Sequence, residues 1–259
     1  MRIFVCVKAV PDTAARIKVD KDGSHIDPSG VKFVLGPYDA RAVAKAISLK
    51  EAAGDGAEVI AVSAGGTKGE RDAKKRLKDA LALGADRGIL IPDDGCENRD
   101  PLEVAKALAA AIKAEGEFSL VLLGRTAVDD QAMSVGPMLG ALLGAPCVTD
   151  AVGLEIAGGK ATVTRAAEGR QQTVELTLPA VVSGQRDLAE EKYPKLKEIL
   201  KAGKKPIADF AYAWTDGGYT VTALEPPPEP VAGKIVGEGP DAVPELFNLL
   251  QNEAKKLSF

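Results

Sequence analysis

Short apolar segments alternate with helical patterns through the first half of the chain, and this rhythm constrains the fold more than any other feature. Strand-like segments lie at residues 2–8, 57–63, 87–91 and 118–124. The last of them, FSLVLLG, is an almost continuous apolar run, which is typical of a strand buried on both faces. Strands that alternate with helices over short connections predict an α/β fold, a mostly parallel sheet with helices on both faces.

The helices between these strands are indicated by apolar residues at helical spacing. Gly36-Pro37 opens the first, and Asp100-Pro101 opens the third with an aspartate N-cap ahead of a proline. The predicted buried stripes are Ala40, Val43, Ala44 and Ile47 in the first helix, Ala73, Leu77, Ala80, Leu81 and Gly84 in the second, and Val104, Ala105, Leu108, Ala111 and Ile112 in the third.

The pattern changes near residue 150. Apolar and polar residues alternate in TVELTL (173–178), and glycine-containing turns fall at Gly158-Gly159 and Glu168-Gly169. Residues 151–183 therefore predict antiparallel strands added to the sheet. A smaller hairpin is predicted at residues 15–27, turning at Asp22-Gly23.

The remaining third is charged and then proline-rich. Residues 188–205 predict a charged helix, and the chain from residue 221 is rich in proline and glycine before an apolar-faced helix at 241–257. Pure linkers lack such apolar helices, so we expect this last part to pack on something. The predicted organisation is an α/β domain, residues 1–220, and an extended C-terminal arm, residues 221–259.

The composition argues against several classes of protein. A formal charge of −4 does not suit a nucleic-acid-binding surface, and an aromatic content of 4% leaves few side chains on which bases could stack. Apolar runs fall short of the ~20 residues that cross a bilayer, and the N-terminal segment lacks the features of an export signal. We therefore expect a cytoplasmic protein with no direct membrane insertion.

Cysteine and histidine offer little catalytic chemistry. Cys6, Cys96 and Cys147 are widely spaced and form no CxxC, so we expect reduced and mostly buried thiols. The single histidine, His25, lies in a polar turn, which disfavours a catalytic Cys-His pair, a Ser-His-Asp arrangement or a histidine-based zinc site.

Loops that follow the predicted strands are the best candidates for a binding site. They are residues 8–13, 36–39, 64–66 and 124–135, and ligands of parallel α/β sheets bind beyond such strand ends. Asp129 and Asp130 do not suit contact with a phosphate, so they are expected to meet sugar hydroxyls or to cap the next helix, while Lys8 and Arg125 are the positive candidates. SAGGTKGE lacks the aspartate of an SGGxDS pyrophosphatase loop, and no P-loop lysine follows Gly124. The residues alone predict a nucleotide-binding domain without visible catalytic residues; a stand-alone adenylating or nucleotide-hydrolysing enzyme is the alternative.

Several motifs in order resemble the small (β) subunits of electron transfer flavoproteins over nearly the whole chain. They are FVCVKAVPDT (4–13), GPYDARAV (36–43), EVIAVSAGG (58–66), ALALGADRGILI (80–91), LVLLGRTAVDDQ (120–131), the stretch from LPAVV to GKKP (178–206) and LEPPPEPVAGKIV (224–236).

The resemblance implies a non-enzymatic electron carrier with an adenine-nucleotide α-hydrolase-like fold. It would form a heterodimer with an α subunit that holds most of the FAD site, and would itself hold a structural AMP or, in electron-bifurcating members, a second FAD. The implied nucleotide contacts are Cys6 through its backbone, Gly36, Pro37, Tyr38, Asp39, Ala64, Gly124, Arg125, Thr126, Ala127, Val128, Asp129, Asp130, Gln131, Ala132, Met133, Ser134 and Val135.

The resemblance also implies two surfaces for partners. Residues 184–205 correspond to a recognition loop that docks electron-donating dehydrogenases, with Leu188 expected as an exposed anchor, and the C-terminal arm would wrap the α subunit. Thr13 and the 165–168 turn would approach the α-subunit flavin, although Thr13 and Ala166 stand where some members have an aromatic residue and a glutamate.

The nucleotide loop carries mixed signals about its ligand. Bifurcating members read like DGDTAQVGP and ordinary ones like DDDxNQTGQ, whereas residues 129–137 read DDQAMSVGP. Val135-Gly136-Pro137 favours the second FAD, and the double aspartate favours AMP. Asp130 in place of a glycine adds bulk and charge to the loop, so AMP is the expected ligand.

Overall fold

Nine strands form one sheet in the part of the chain that the computed structural model describes, which comprises residues 1–69, 72–95, 98–230 and 232–257. In chain order the strands of this sheet are β1 (Arg2–Cys6), β4 (Glu58–Gly65), β5 (Arg87–Pro92), β6 (Leu120–Gly124), β7 (Cys147–Ala157), β8 (Lys160–Ala167), β9 (Arg170–Thr177), β10 (Ala180–Gly184) and β11 (Ile207–Asp209), and a separate pair is formed by β2 (Ala9–Pro11) and β3 (Phe33–Leu35).

The sheet is mostly parallel, as the alternating pattern predicted. Its order is β11-β5-β4-β1-β6-β10-β7-β8-β9. Pairings from β11 to β7 are parallel, whereas β8 and β9 extend the sheet as antiparallel strands. The antiparallel addition after residue 150 is therefore confirmed. Its turns have positive φ at Gly158, Gly159 and Gly169, a conformation that glycine adopts readily.

Helices cover both faces of the sheet. One core cluster joins α1 (Pro37–Ala53), α2 (Ala73–Leu83) and α5 (Leu196–Ala202) to the sheet, and the other joins α3 (Pro101–Ala114) and α4 (Val135–Leu143). Asp100 caps α3 as expected, because its carboxylate accepts from the backbone N–H of Leu102 at 2.8 Å. A further helix, α6, spans Val243–Asn248.

The order of the strands places a crevice beside β1. The chain moves from β1 to β4 and β5 in one direction, and β6 then lies on the opposite side of β1. The helix that follows β1, α1, packs on one face of the sheet, and the helix that precedes β6, α3, packs on the other. The carboxyl ends of β1 and β6 therefore form a switch point, and α/β sheets bind ligands at such points.

Two local predictions assigned more helix or strand than the structure contains. Residues 188–205 are not one helix: a short 3-10 turn covers Arg186–Leu188, and α5 begins only at Leu196. Pro194 explains the late start, since a proline disfavours helical geometry in the residue before it. The predicted hairpin at 15–27 is reduced to an isolated antiparallel bridge between Val19 and Ile26.

The chain divides into two compact units, Met1–Leu224 and Glu225–Phe259. The first contains the sheet and the helices α1 to α5. In the second, residues 225–230 and 232–239 have neither helix nor strand, α6 follows, and a π-helical turn covers Leu249–Glu253. Large apolar side chains of this unit are exposed, among them Ile235 and Val243.

Candidate nucleotide-binding site

A cavity lies at the carboxyl ends of β1, β4 and β6, where the sequence predicted a site. Cys6, Ala64 and Gly124 contribute one residue from each strand end, and the loop after β6 closes the opposite side. The other lining residues are Val7, Lys8, Asp39, Pro101, Val104, Leu108, Leu123, Arg125, Thr126, Ala127, Asp130, Ala132, Met133, Ser134, Val135 and Gly136.

Asp39 joins the elements that form this cavity. It lies in the first turn of α1 and is buried, and its two carboxylate oxygens accept from the backbone N–H groups of Lys8 at 2.9 Å and Gly124 at 3.0 Å. Burial raises the pKa of Asp39 to about 7, and the two N–H donors offset only part of that rise. One side chain therefore holds the start of α1, the end of β1 and the end of β6 together.

The pKa of Asp39 predicts a pH dependence of stability. In the unfolded chain this carboxyl has an ordinary pKa near 3.8, whereas in the fold it is about 7. Between these values the folded state binds more protons, so the contribution of Asp39 to stability is present below pH 4 and is lost as the pH rises through 7. The free energy of unfolding should fall with pH more steeply in the wild type than in Asp39→Asn, by up to about 1.4 kcal/mol per pH unit. If urea unfolding gave free energies that change equally with pH in the two proteins between pH 4.5 and 7, the prediction would be contradicted.

Gly124 is required for the approach of α1. A Cβ at this position would lie 2.5 Å from Asp39 Oδ1, 2.6 Å from Tyr38 Cβ and 2.9 Å from the Asp39 backbone nitrogen. The space that a side chain at position 124 would occupy is therefore filled by the first turn of α1.

Lys8 binds both aspartates of the loop. Its Nζ lies 3.0 Å from Asp129 and 2.8 Å from Asp130. Burial alone would lower the pKa of Lys8, but the two carboxylates outweigh burial and the pKa is raised. The helix-capping interpretation of these aspartates is wrong, since α4 begins at Val135 with Ser134 at its N-cap and no side-chain cap.

The charge of Arg125 is directed at Asp150 of β7, two strands away from β6 in the sheet. Its Nε lies 2.7 Å from Asp150 Oδ1, although the angle is not that of a hydrogen bond, and Gln185 donates to the same oxygen at 3.0 Å. The backbone N–H of Arg125 donates to the carbonyl of Gly184 at 2.8 Å. Arg125 thus lines the cavity, while its guanidinium is engaged outside the loop.

The loop between β6 and α4 has an unusual backbone. Gln131 and Met133 have φ of +51° and +53°, in the left-handed region that side chains other than glycine rarely adopt. Within the loop, Asp130 accepts from the N–H of Ala132 at 3.0 Å. Strained backbone of this kind is concentrated at ligand-binding sites, where the surrounding structure imposes it.

The structure brings most of the predicted contact residues to one cavity, but not all of them. Asp129 lines a neighbouring cavity on the other side of Lys8, which it shares with Ala64 and Asp130. The sequence interpretation missed the apolar wall formed by Val104 and Leu108, because both residues already fitted the buried stripe of α3. Of the predicted contacts, Gly36, Pro37, Tyr38, Val128 and Gln131 do not line the first cavity.

The prediction of reduced and mostly buried thiols agrees with the structure for Cys6 and Cys147, the two cysteines among the described residues. Cys6 is buried and Cys147 half-buried, and burial raises their pKa values to about 12 and about 11. The carboxylate of Asp39 adds to the rise at Cys6. Both thiols are therefore poor nucleophiles at neutral pH. Cys96 lies outside the described residues.

The segment expected to dock partners differs from its prediction. Leu188 was expected to be exposed, but its side chain is 4% exposed and packs on Gly184. The exposed apolar residues of the segment lie after it: Tyr193, Leu196, Ile199 and Leu200. Among the described residues, none of the helices is long and apolar enough to cross a membrane.

Comparison with known proteins identifies the family. Residues 24–213 match the electron transfer flavoprotein domain. The electron transfer flavoprotein subunit beta of Syntrophomonas wolfei is 40% identical over 256 residues, covering 98% of both chains. The subunits of the same name from Bradyrhizobium diazoefficiens and Homo sapiens are 41% and 37% identical, and the alignments cover 98% and 95% of this chain and 99% and 96% of theirs.

The chain belongs to the electron transfer flavoprotein family. The resemblance seen in the sequence motifs is therefore confirmed, and the α/β fold agrees with it. The alignments with the Syntrophomonas wolfei and Bradyrhizobium diazoefficiens subunits cover 98% of this chain, so the electron transfer flavoprotein assignment covers the α/β unit and extends into the C-terminal unit.

Proposed function

We propose that the chain is the β subunit of a heterodimeric electron transfer flavoprotein, that it holds AMP in the cavity at the end of β1, β4 and β6, and that it acts as a carrier rather than as an enzyme. The observation that carries the proposal is the cavity itself. The cavity is lined by residues of the strand-end loops that the family resemblance indicated as nucleotide contacts, and the chain is a member of that family.

The chemistry of the cavity suits an adenine nucleotide held by backbone groups. Val104 and Leu108 offer an apolar wall to a base, and the cavity reaches the first turn of α4, where free N–H groups and the helix dipole favour an anion. Lys8 is paired with two carboxylates and so has little charge left for a phosphate. This arrangement would hold a nucleotide without activating it for cleavage.

A second FAD in place of AMP is the alternative, and one observation favours it. The neighbouring cavity is lined by Lys8, Ala64 and Asp130 from the first site and by further residues from 9 to 33 and 219 to 224. A ligand longer than AMP could extend in that direction. The Lys8–Asp130 pair separates the two spaces, which supports the shorter ligand.

The FAD that receives electrons would be held mainly by the α subunit, and this chain would shape one side of its environment. Thr13 and the turn between β8 and β9 are the positions proposed to approach it. Arg165, beside that turn, donates from Nε to the carbonyl of Thr149 at 3.1 Å, so its charge is held against β7. The exposed apolar side chains of the C-terminal unit, such as Val243 and Leu246, are proposed to pack on the α subunit.

Docking of an electron-donating dehydrogenase is assigned to the exposed apolar face of α5 instead of to Leu188. Leu196 and Leu200 are exposed beside Lys197 and Lys201, a mixture of apolar anchors and polar rim that suits a transient interface. The lysines would also favour an acidic partner surface.

Leu196→Ala should weaken docking without disturbing the flavin. We expect the KM for the dehydrogenase of the same organism that reduces the wild-type heterodimer to rise by roughly tenfold, because a truncated interface anchor typically costs 1 to 2 kcal/mol. The flavin content of the heterodimer serves as the control. An unchanged KM would remove α5 from the interface.

Co-expression with the α subunit tests the assembly. The proposal predicts a yellow one-to-one complex of the two subunits. It also predicts that this chain, when isolated, shows no ATP turnover. Recovery of the chain as a colourless single subunit under these conditions, or ATP hydrolysis that Asp129→Ala abolishes, would contradict it.

A further inference from the structure

The chain between Leu188 and α5 has little regular structure of its own. Residues 189–195 contain no helix or strand, yet they connect the buried Leu188 to the exposed apolar face of α5. The orientation of that face therefore depends on what holds these connecting residues to the body of the α/β unit.

Arg41 of α1 supplies two contacts to this connection. Its Nη1 donates to the backbone carbonyl of Ala189 at 3.3 Å, and its Nη2 donates to Glu191 Oε2 at 2.9 Å. Only 14% of the Arg41 side chain is exposed, against 45% for Glu191, so the arginine is the fixed member of the pair. A guanidinium can hold a carbonyl and a carboxylate at once in a defined geometry, whereas an ammonium group is a single point charge.

Glu191 extends the contact toward α5. The carboxylate of Glu191 raises the pKa of Tyr193, first through hydrogen bonding to the phenol and then through its charge. Arg41, Glu191 and Tyr193 thus form a chain of polar contacts that leads from α1 to within three residues of Leu196.

The elements on either side of the Arg41 contacts are held in place by buried interactions. Asp39, half a turn earlier in α1, ties the helix to the ends of β1 and β6 through two buried hydrogen bonds. On the other side, Leu188 packs closely on Gly184, where an added Cβ would collide with the leucine side chain. The connection is therefore anchored to rigid elements at its start and along its length.

We propose that Arg41 is a positioning residue for partner docking: by holding Ala189 and Glu191 it fixes the orientation in which α5 presents Leu196 and Leu200 to an electron-donating protein. This inference rests on the proposed docking role of α5. It assigns no contact between Arg41 and the partner, because the arginine acts through residues 189–191.

The experiment compares Arg41→Ala with Lys113→Ala, which removes an exposed cation from the last turn of α3. Both are made in the heterodimer and assayed with the dehydrogenase of the same organism that reduces the wild-type complex. Arg41→Ala should raise KM about fivefold with kcat and flavin content unchanged, since a positioning contact affects encounter geometry more than the transfer step. Lys113→Ala should match the wild type. Arg41→Lys, which keeps the charge but loses the two-pronged geometry, should resemble Arg41→Ala.

Hydrogen–deuterium exchange supplies a readout that needs no partner. Exchange in residues 189–195 should increase in Arg41→Ala, while protection of α1 stays as in the wild type. The double variant Arg41→Glu with Glu191→Arg restores an ion pair with reversed polarity. Its KM should be lower than that of Arg41→Glu alone and closer to the wild-type value. Unchanged KM, or a raised KM accompanied by faster exchange throughout α1, would overturn the inference.

Leu196→Ala separates the two proposals. If Leu196→Ala raises KM and Arg41→Ala does not, α5 docks the partner and the role of Arg41 is wrong. If neither variant changes KM, the docking assignment of α5 fails and the inference about Arg41 fails with it.

Discussion

Gly124→Ala is expected to destabilise the α/β unit by about 3 kcal/mol or more and to abolish nucleotide retention, because overpacking and the loss of a buried hydrogen bond act together. The added Cβ would lie within 3 Å of both the Asp39 carboxylate and the backbone of α1, and neither can move without breaking the bonds that Asp39 makes. The free energy of unfolding from urea titration and the nucleotide content of the purified heterodimer measure the two effects.

Gly203→Ala is the matched control for this substitution. Gly203 ends α5 with φ of −60°, and the nearest atom to an added Cβ would be at an ordinary contact distance of 3.5 Å. Its alanine variant should keep wild-type stability within about 0.5 kcal/mol. If the two alanine variants were equally stable, the close approach of α1 to Gly124 would be disproved.

Leu188→Ala is expected to lower stability by about 2 to 4 kcal/mol, the usual cost of a cavity left by a buried leucine. The side chain is 4% exposed and fills the space above Gly184, so its removal leaves a void that the surrounding backbone cannot readily close. Urea unfolding of the heterodimer should show a lower midpoint with an unchanged slope.

The same substitution at Leu196 provides the comparison, because this leucine lies in the same segment and is 72% exposed. Leu196→Ala should leave the free energy of unfolding unchanged and alter docking instead. A Leu188→Ala variant as stable as the wild type would show that Leu188 does not anchor the segment.

Local patterns predicted the α/β architecture because each element carries its own signal. The apolar run of β6, the N-cap at Asp100 and the alternation in β9 are all set by neighbours a few residues away, and the structure places them as expected. The strand-end loops could then be grouped without knowing any side-chain contact, since parallel strands end at the same edge of a sheet.

The contacts that define the site are long-range, and local patterns do not contain them. Lys8 and Asp130 are separated by 122 residues, and Asp39 and Gly124 by 85. The capping interpretation was applied to Asp129 and Asp130 because no local feature reveals that Lys8, which follows β1, binds them. Likewise, no local feature shows that Leu188 packs on Gly184, although Pro194 indicates that the helix begins after it.

Quantification of the cofactors released from the heterodimer would show whether the cavity at the ends of β1, β4 and β6 holds AMP. The complex would be purified, denatured in acid, and its soluble nucleotides separated and measured against protein concentration. We expect one FAD and one AMP per heterodimer, with the AMP lost in Gly124→Ala and retained in Gly203→Ala. Two FAD and no AMP, or no nucleotide other than the single FAD, would contradict it.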